Sequence, residues 1–474
     1  MRIKPNKLGI LLTLSIPLGV LGIALADEPL TIHEWGTFTV LQDEAGKPLP
    51  GVNVNEERLP GFVFRLDSGI APHSHALSPL AGRRSKGIPI SFPAAIMRME
   101  TPIIYVYPPK SGASQKVNVS VRFHGGWISE WYPDATVVAP GFKRTFSSIG
   151  NLGPATTGSI RWNNVTIGTD RALPETGHHV WLAPRQVAAP RLSTEEGNVE
   201  NYLFYRGVAN IEAPLRVTRN GASGQFVVSR NASADFSPNK PSYNSTWLAD
   251  IRADGALAFR HLEAGVELIG SSSSVITTPS EFLPSDYSDA NRIVLRESMK
   301  KVLKGEGLWD DEADAMLNTW ELSYFNSPGM RLFFSLPQSW TDQVLPLEVS
   351  QPADINRVMI GHIELVTPAH RRLLNQITAG PISTSSWFWD RLKTFSEDKQ
   401  SRVWQEISFN RKSLADWDFE VPPDYQAFLG LGRFREAILL DELSRTNSPT
   451  LRQFVSNYRL TFRDQLRTAG VGGS

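Results

Sequence analysis

Residues 117–123 alternate between apolar and polar. Val117, Val119, Val121 and Phe123 are separated by Asn118, Ser120 and Arg122. A period of two is the mark of a strand with one buried face. Gly125-Gly126 then turns the chain into Trp127-Ile128-Ser129. Comparable short runs lie at residues 103–107, 160–167, 199–205, 215–218 and 225–228, separated by Pro-, Gly-, Asn- and Ser-rich connections. Many short strands punctuated in this way predict an antiparallel domain, sandwich-like or barrel-like.

Near residue 285 the period changes. Ile293, Val294, Met299, Val302 and Leu303 fit one helix face that ends at Gly305. Ala313, Met316, Leu317 and Trp320 recur at i, i+3, i+4 and i+7, predicting a second amphipathic helix. Strands are expected again at 331–336, 344–349 and 358–366. Thr367-Pro368 reads as an N-cap with proline at the first helical position. From 397 onward the pattern is mostly helical, with a last helix opening at Ser448-Pro449. The fold class expected is therefore α+β: a β-rich, sandwich-like antiparallel part over 27–284, a mixed helix-strand segment over 285–370 packed on it, and a helical region over 371–474. Residues 50–95, with Pro60, Pro72, Pro79, Pro89 and Pro93, read as one long irregular loop.

The N-terminus predicts export. Arg2, Lys4 and Lys7 precede an apolar stretch, and Ala24-Leu25-Ala26 forms a small-x-small cleavage site before Asp27. Residues 1–26 thus read as a Sec-type signal peptide, giving a periplasmic or extracellular protein; uncleaved, the same segment would be an N-terminal membrane anchor. Pro17 and three glycines make it a poor spanning helix, and no second apolar run is long enough to cross a bilayer. The chain has no cysteine. That excludes a lipoprotein anchor and a cysteine nucleophile, and it favours a bacterial envelope protein over a eukaryotic secreted one. In that setting the Asn-x-Ser/Thr sequons at Asn118, Asn164, Asn231 and Asn244 mean only exposed polar turns.

Lys and Arg number 48, as do Asp and Glu, and no basic stripe appears. Nucleic acid and anionic membranes are poor partners for such a chain. Thirteen tryptophans and 23 phenylalanines supply a core, and they also suit an aromatic cleft for a glycan.

Three carboxylates in strand context are the candidates for catalysis. Glu34 lies in His33-Glu34-Trp35-Gly36-Thr37, on the more apolar side of an alternating strand. Glu100 lies between Met99 and Thr101-Pro102, and Glu130 lies in Ser129-Glu130-Trp131. A buried carboxylate must be paired, metal-bound or neutral, and two carboxylates facing one cleft would suit a glycosidase. The competing expectation is that each satisfies an arginine or backbone amides. His33, His178 and His179 are weak candidates for a metal site, and His73-Ser74-His75 sits in the proline-rich loop. His362 and Glu364 share one face of a strand, as a ligand pair, an exposed polar face or a mutually satisfied pair. Arg206 ends an aromatic strand and would hold an anion, cap a turn or neutralise a buried Glu. The sequence has no HExxH, Gly-x-Ser-x-Gly elbow, phosphate-binding loop, GxGxxG or EF-hand loop, and it indicates no particular cofactor.

Several segments together resemble a family of exported bacterial proteins: HEWGTFT at 33–39, METPIIYVY at 99–107, ISEWYP at 128–133, YLFYRG at 202–207, GLWDDEADAMLNTW at 307–320 and RVMIGHIELVTP at 357–368. The resemblance spans nearly the whole mature chain. It implies no reaction, cofactor or catalytic residue, only that the β and α/β halves travel as one unit. His362 stands where the family pattern leads one to expect an arginine.

Three functions follow as expectations. The first is an exported binding protein for a glycan or another envelope component. The second is a hydrolase using Glu34, Glu100 and Glu130, with His33 and a divalent metal as further participants. The third is a structural or assembly protein.

Overall fold

The computed structural model describes residues 28–52, 59–66, 94–109, 115–143, 150–234, 245–262, 275–408 and 413–468. The expectations for residues 1–26, His73, His75 and Asn244 lie outside the described residues.

The chain is α+β. Its longer strands are β1 (Leu30–Gln42), β2 (Met97–Tyr107), β3 (Lys116–His124), β4 (Gly126–Tyr132), β5 (Thr157–Ile167), β6 (Leu203–Ala209), β7 (Leu215–Asn220), β8 (Gln225–Arg230), β9 (Thr246–Ile251), β10 (Leu257–Leu262), β11 (Val275–Pro279), β12 (Gly329–Leu336) and β13 (Ala353–Leu365). Among the described residues sixteen strands, short ones included, form one sheet, whose main run is β5-β4-β6-β2-β1-β13-β12-β9-β10. β7, β8 and β11 form a separate three-stranded sheet. Pairing is antiparallel almost throughout, but β1 and β13 run parallel over their whole length.

Burial separates two kinds of strand. β3 and β5 alternate between buried and exposed residues, as a strand wetted on one face must. β2, β4 and β6 are buried along their full length, and β1 everywhere except Thr31. Both faces of this central group are therefore covered. On one face Ile32, Phe38 and Val40 meet Val117, Val119 and Val121 of β3, Trp162 of β5, and Phe226 and Val228 of β8. The sheet folds over on itself to enclose this core. On the other face Trp35 and Tyr105 pack under two helices, α1 (Ala290–Gly305) and α2 (Asp310–Thr319). A third core joins Leu41 and Leu49 to the C-terminal helices through Leu374, Phe428, Ile438 and Phe454.

Gly36 shows how tightly the central strands are held. A Cβ there would stand 3.0 Å from the Pro102 Cα and 3.1 Å from the Met359 sulfur. The groups that approach this glycine so closely belong to neighbouring strands.

Four local expectations need correction. Leu295, Met299 and Leu303 make the buried stripe of α1, while Ile293 is 67 % exposed and Val294 54 %. Leu295, not Ile293, starts the i, i+4, i+8 series that faces the sheet. α2 buries Ala313, Met316 and Leu317 as expected, but it ends at Thr319, and Trp320 leads into a π-helical turn at Glu321–Asn326. Residues 344–349 are not one strand. Val344 closes the helix α3 (Gln338–Val344), and only Leu347–Val349 pairs in the sheet, because Pro346 lacks the N–H that a ladder needs. The last helix, expected to run from Ser448-Pro449 through Arg459, continues to Thr468.

The C-terminal helices are α4 (Pro368–Ala379), α5 (Ser386–Lys393), α6 (Glu397–Ser408), α7 (Pro423–Gly430), α8 (Arg435–Thr446) and α9 (Pro449–Thr468). Thr367 is the N-cap of α4 with Pro368 at its first position, as read from the sequence.

Candidate functional site

Alternation along β1 sends Glu34 to one face of the sheet and His33 to the other. Glu34 is fully buried. The parallel register places it level with Arg357 of β13. Arg357 Nε donates to its Oε2 at 2.5 Å, and the Tyr205 hydroxyl donates to its Oε1 at 2.6 Å. Arg357 also donates to Asp342 Oδ1 at 3.0 Å and to the Leu345 carbonyl at 2.7 Å. Burial together with the adjacent Glu34 raises the Tyr205 pKa, so its hydroxyl stays a donor.

Glu100 and Glu130 lie on the opposite face from Glu34 and share one buried ionic cluster. Arg433, beyond the end of α7, donates to Glu100 Oε1 at 2.6 Å. Burial pushes the Glu100 carboxyl up, but Arg433 and Arg98 more than offset this and hold it at about 2. Glu130 of β4 is level with Arg206 of β6. Its oxygens lie 3.8 Å from Arg206 Nη1 and 3.4 Å from Arg65 Nε. Arg98 is an electrostatic neighbour of both Glu100 and Glu130. Arg206 thus neutralises a buried glutamate, one of its three expected roles, and it does so from the middle of β6 rather than its end. Each of the three candidate carboxylates is engaged by an arginine.

The same face carries His362 and Glu364, 3.3 Å apart, with Arg331 Nη2 3.3 Å from the same Glu364 oxygen. Burial would raise the Glu364 carboxyl, but Arg331 and the His362 hydrogen bond bring it to about 2. Burial lowers His362 to about 4 despite Glu364, so the imidazole is neutral near pH 7. Tyr324, in the π-helical turn, bridges the Thr37 and Thr39 hydroxyls at 2.8 and 3.0 Å. Its ring lies 4.3 Å from that of His362. His362 and Glu364 are thus a buried pair beside Arg331, inside a polar network.

His33 is built differently. Its Nδ1 lies 2.8 and 3.0 Å from the two oxygens of Glu312. The Tyr107 hydroxyl donates to Glu312 Oε1 at 2.7 Å, and the Trp309 backbone N–H donates to Oε2 at 2.9 Å. Burial and the Glu312 charge push the Tyr107 pKa up, so the phenol stays protonated. Local sequence explains the placement. Trp309 is the N-cap of α2 and Glu312 its third residue, so the carboxylate folds back onto the cap amide as in a capping box. Glu312 is fully buried, yet its partners among the described residues include no arginine or lysine. Above it, the Trp309 ring centre lies 4.4 Å from that of Tyr107 and 4.8 Å from that of His33. Trp309 is 46 % exposed, the one exposed tryptophan among the described side chains.

The three histidines named as metal candidates stay apart. His33 sits at the start of α2, while His179 Nε2 donates to the Asn318 carbonyl near its end at 2.9 Å. His178 is 2.9 Å from the Thr176 hydroxyl. No group of three or more His, Asp or Glu suited to a metal occurs among the described residues. The residues missed in the sequence are Tyr107, Trp309 and Glu312. The one local signal was the cap pattern Trp309-Asp310-Asp311-Glu312; the contact of Glu312 with His33 spans 279 positions.

No protein-family model matches this chain, and no curated protein does.

Proposed function

We propose that this is an exported binding protein that holds a glycan, or a glycan-bearing envelope partner, on the Trp309 surface. The observation that carries the reading is an exposed indole seated on Tyr107 and His33, beside a buried carboxylate that no arginine claims. An exposed aromatic face with polar groups at its edge suits the apolar side of a sugar ring. Elsewhere in the described residues large aromatics are mostly consumed in the cores.

The hydrolase reading on Glu34, Glu100 and Glu130 is the weaker one. Glu34 lies on the other face of the sheet from the other two, and Glu100 is held ionised at about 2, far from what a general acid needs. Export is supported by residues 1–26. No helix among the described residues is long and apolar enough to cross a membrane.

The test is titration of the mature protein with neutral oligosaccharides (maltotetraose, cellotetraose and N-acetylchitotetraose), followed by intrinsic tryptophan fluorescence and calorimetry. Saturable binding of at least one, lost in Trp309→Ala, is the expected result. Binding that persists unchanged in Trp309→Ala places the site elsewhere. Expression with the native leader should give a mature N-terminus at Asp27 by mass spectrometry; an intact Met1 in the cytosol would contradict export.

A further inference from the structure

A buried carboxylate on a histidine fixes which ring nitrogen carries the proton. Glu312 accepts the Tyr107 hydroxyl and the Trp309 amide, so it acts as an acceptor toward His33 as well. His33 Nδ1, 2.8 Å from Oε2, is then the nitrogen that donates to Glu312, which in the neutral tautomer leaves the lone pair on Nε2. Among the described residues Nε2 makes no hydrogen bond. The side chain is 7 % exposed and lies beside the half-exposed Trp309 ring. The imidazole is held from three sides: by Glu312, by the Tyr107 ring at 5.7 Å and by the Trp309 ring at 4.8 Å. Such packing fixes its orientation before any ligand arrives.

We propose that His33 is the ligand-contacting polar group of this surface, its Nε2 accepting a hydrogen bond from a hydroxyl of a neutral sugar whose apolar face lies on Trp309. The inference rests on the binding reading above and adds its chemistry. A lone-pair nitrogen selects a donor, so a sugar hydroxyl satisfies it, whereas a carboxylate or a carbonyl oxygen at the same point would leave two acceptors face to face. The platform therefore takes neutral hydroxylated rings in preference to acidic ones. Glu312 is a positioning residue: it acts through His33 by setting the tautomer.

The experiment uses the mature full chain with ¹⁵N-histidine labelling, the neutral oligosaccharides named above, and tetragalacturonate as the acidic probe. The free protein should show Nδ1 protonated in the His33 imidazole, with the Nε2 resonance shifting on saturation with the bound neutral sugar. Glu312→Gln removes the carboxylate charge that holds the proton on Nδ1, so the tautomer protonated at Nε2 gains population, and affinity should fall by about tenfold. His33→Phe keeps a ring against Trp309 but removes the acceptor, and a similar loss is expected. Binding abolished by Trp309→Ala but unaltered in both His33→Phe and Glu312→Gln would overturn this inference and leave the binding reading standing. Binding of tetragalacturonate at least as tight as of any neutral sugar would also overturn it. Absence of binding to every probe would sink the inference and the reading together. If His33→Phe fails to fold, the Nε2 shift and Glu312→Gln still decide.

Discussion

Two sets of buried glutamates serve opposite purposes in this molecule. Glu34, Glu100, Glu130 and Glu364 each face a guanidinium: Arg357, Arg433, Arg206 with Arg65, and Arg331. Glu312 is buried as deeply, but faces an imidazole, a phenol and a backbone amide. A buried carboxylate without a partner costs several kcal/mol, and an arginine removes that cost while fixing the charge in place. The arginine-paired set stitches strands distant in sequence into one sheet. Glu312 instead holds His33 beside the exposed Trp309 ring. The lesson is that burial of a glutamate marks nothing by itself; the nature of its partner separates scaffold from site.

The same contrast applies to tryptophan, and it yields the largest expected effect. Trp320 is 2 % exposed, with its ring 6.1 Å from that of Trp35. Trp320→Ala should lower stability by about 3–5 kcal/mol through the cavity it leaves, measured by chemical denaturation. A loss under 1 kcal/mol would mean that this core rearranges freely. Next comes Glu34→Gln, which leaves Arg357 buried beside a neutral amide. A loss of about 3 kcal/mol is expected, with sugar binding unchanged. A variant as stable as the wild type would remove Glu34 from the scaffold set.

Acid should weaken the arginine-paired set in two stages. His362 titrates at about 4 in the folded chain against an ordinary 6.5. The unfolded chain therefore binds a proton that the native state refuses, and stability falls as pH drops from 6.5 toward 4. Glu100 and Glu364 titrate at about 2 against an ordinary 4.5. Their contribution, complete above pH 4.5, is lost as pH falls through 2. Unfolding free energy measured between pH 8 and 3 should decline throughout the range below 6.5, and His362→Gln should flatten the upper stage. A curve flat from 6.5 to 4 would contradict the neutral, buried imidazole. The smallest effect on stability belongs to Trp309→Ala, under about 1 kcal/mol for an exposed ring. A loss above 2 kcal/mol would make Trp309 part of the scaffold and blur the comparison.

Much of the scaffold was legible in the sequence because its signals are local. The alternation of residues 117–123 is seen in β3, the Ala313-Met316-Leu317 stripe in α2, and Thr367-Pro368 at the start of α4. Arg206 beside Glu130 and His362 beside Glu364 could be anticipated as partners. The site was not legible, for a physical reason. Alternation on β1 sets His33 and Glu34 on opposite faces, but not which partner waits on each. Arg357 reaches Glu34 across 323 positions, and Arg433 reaches Glu100 across 333. Glu312 is one acid of an acidic first helical turn, which on a surface helix means only favourable interaction with the helix dipole. Its burial depends on where α2 docks, which no local pattern records.

The comparison is tested most directly by the unfolding free energy of Glu312→Gln, measured beside its oligosaccharide affinity. Glu312 has no arginine or lysine to strand, so its replacement should leave stability within about 1 kcal/mol of the wild type, while binding weakens by about tenfold or more. A loss of 3 kcal/mol or more with affinity unchanged would place Glu312 in the scaffold with Glu34, and would contradict the division between the two sets.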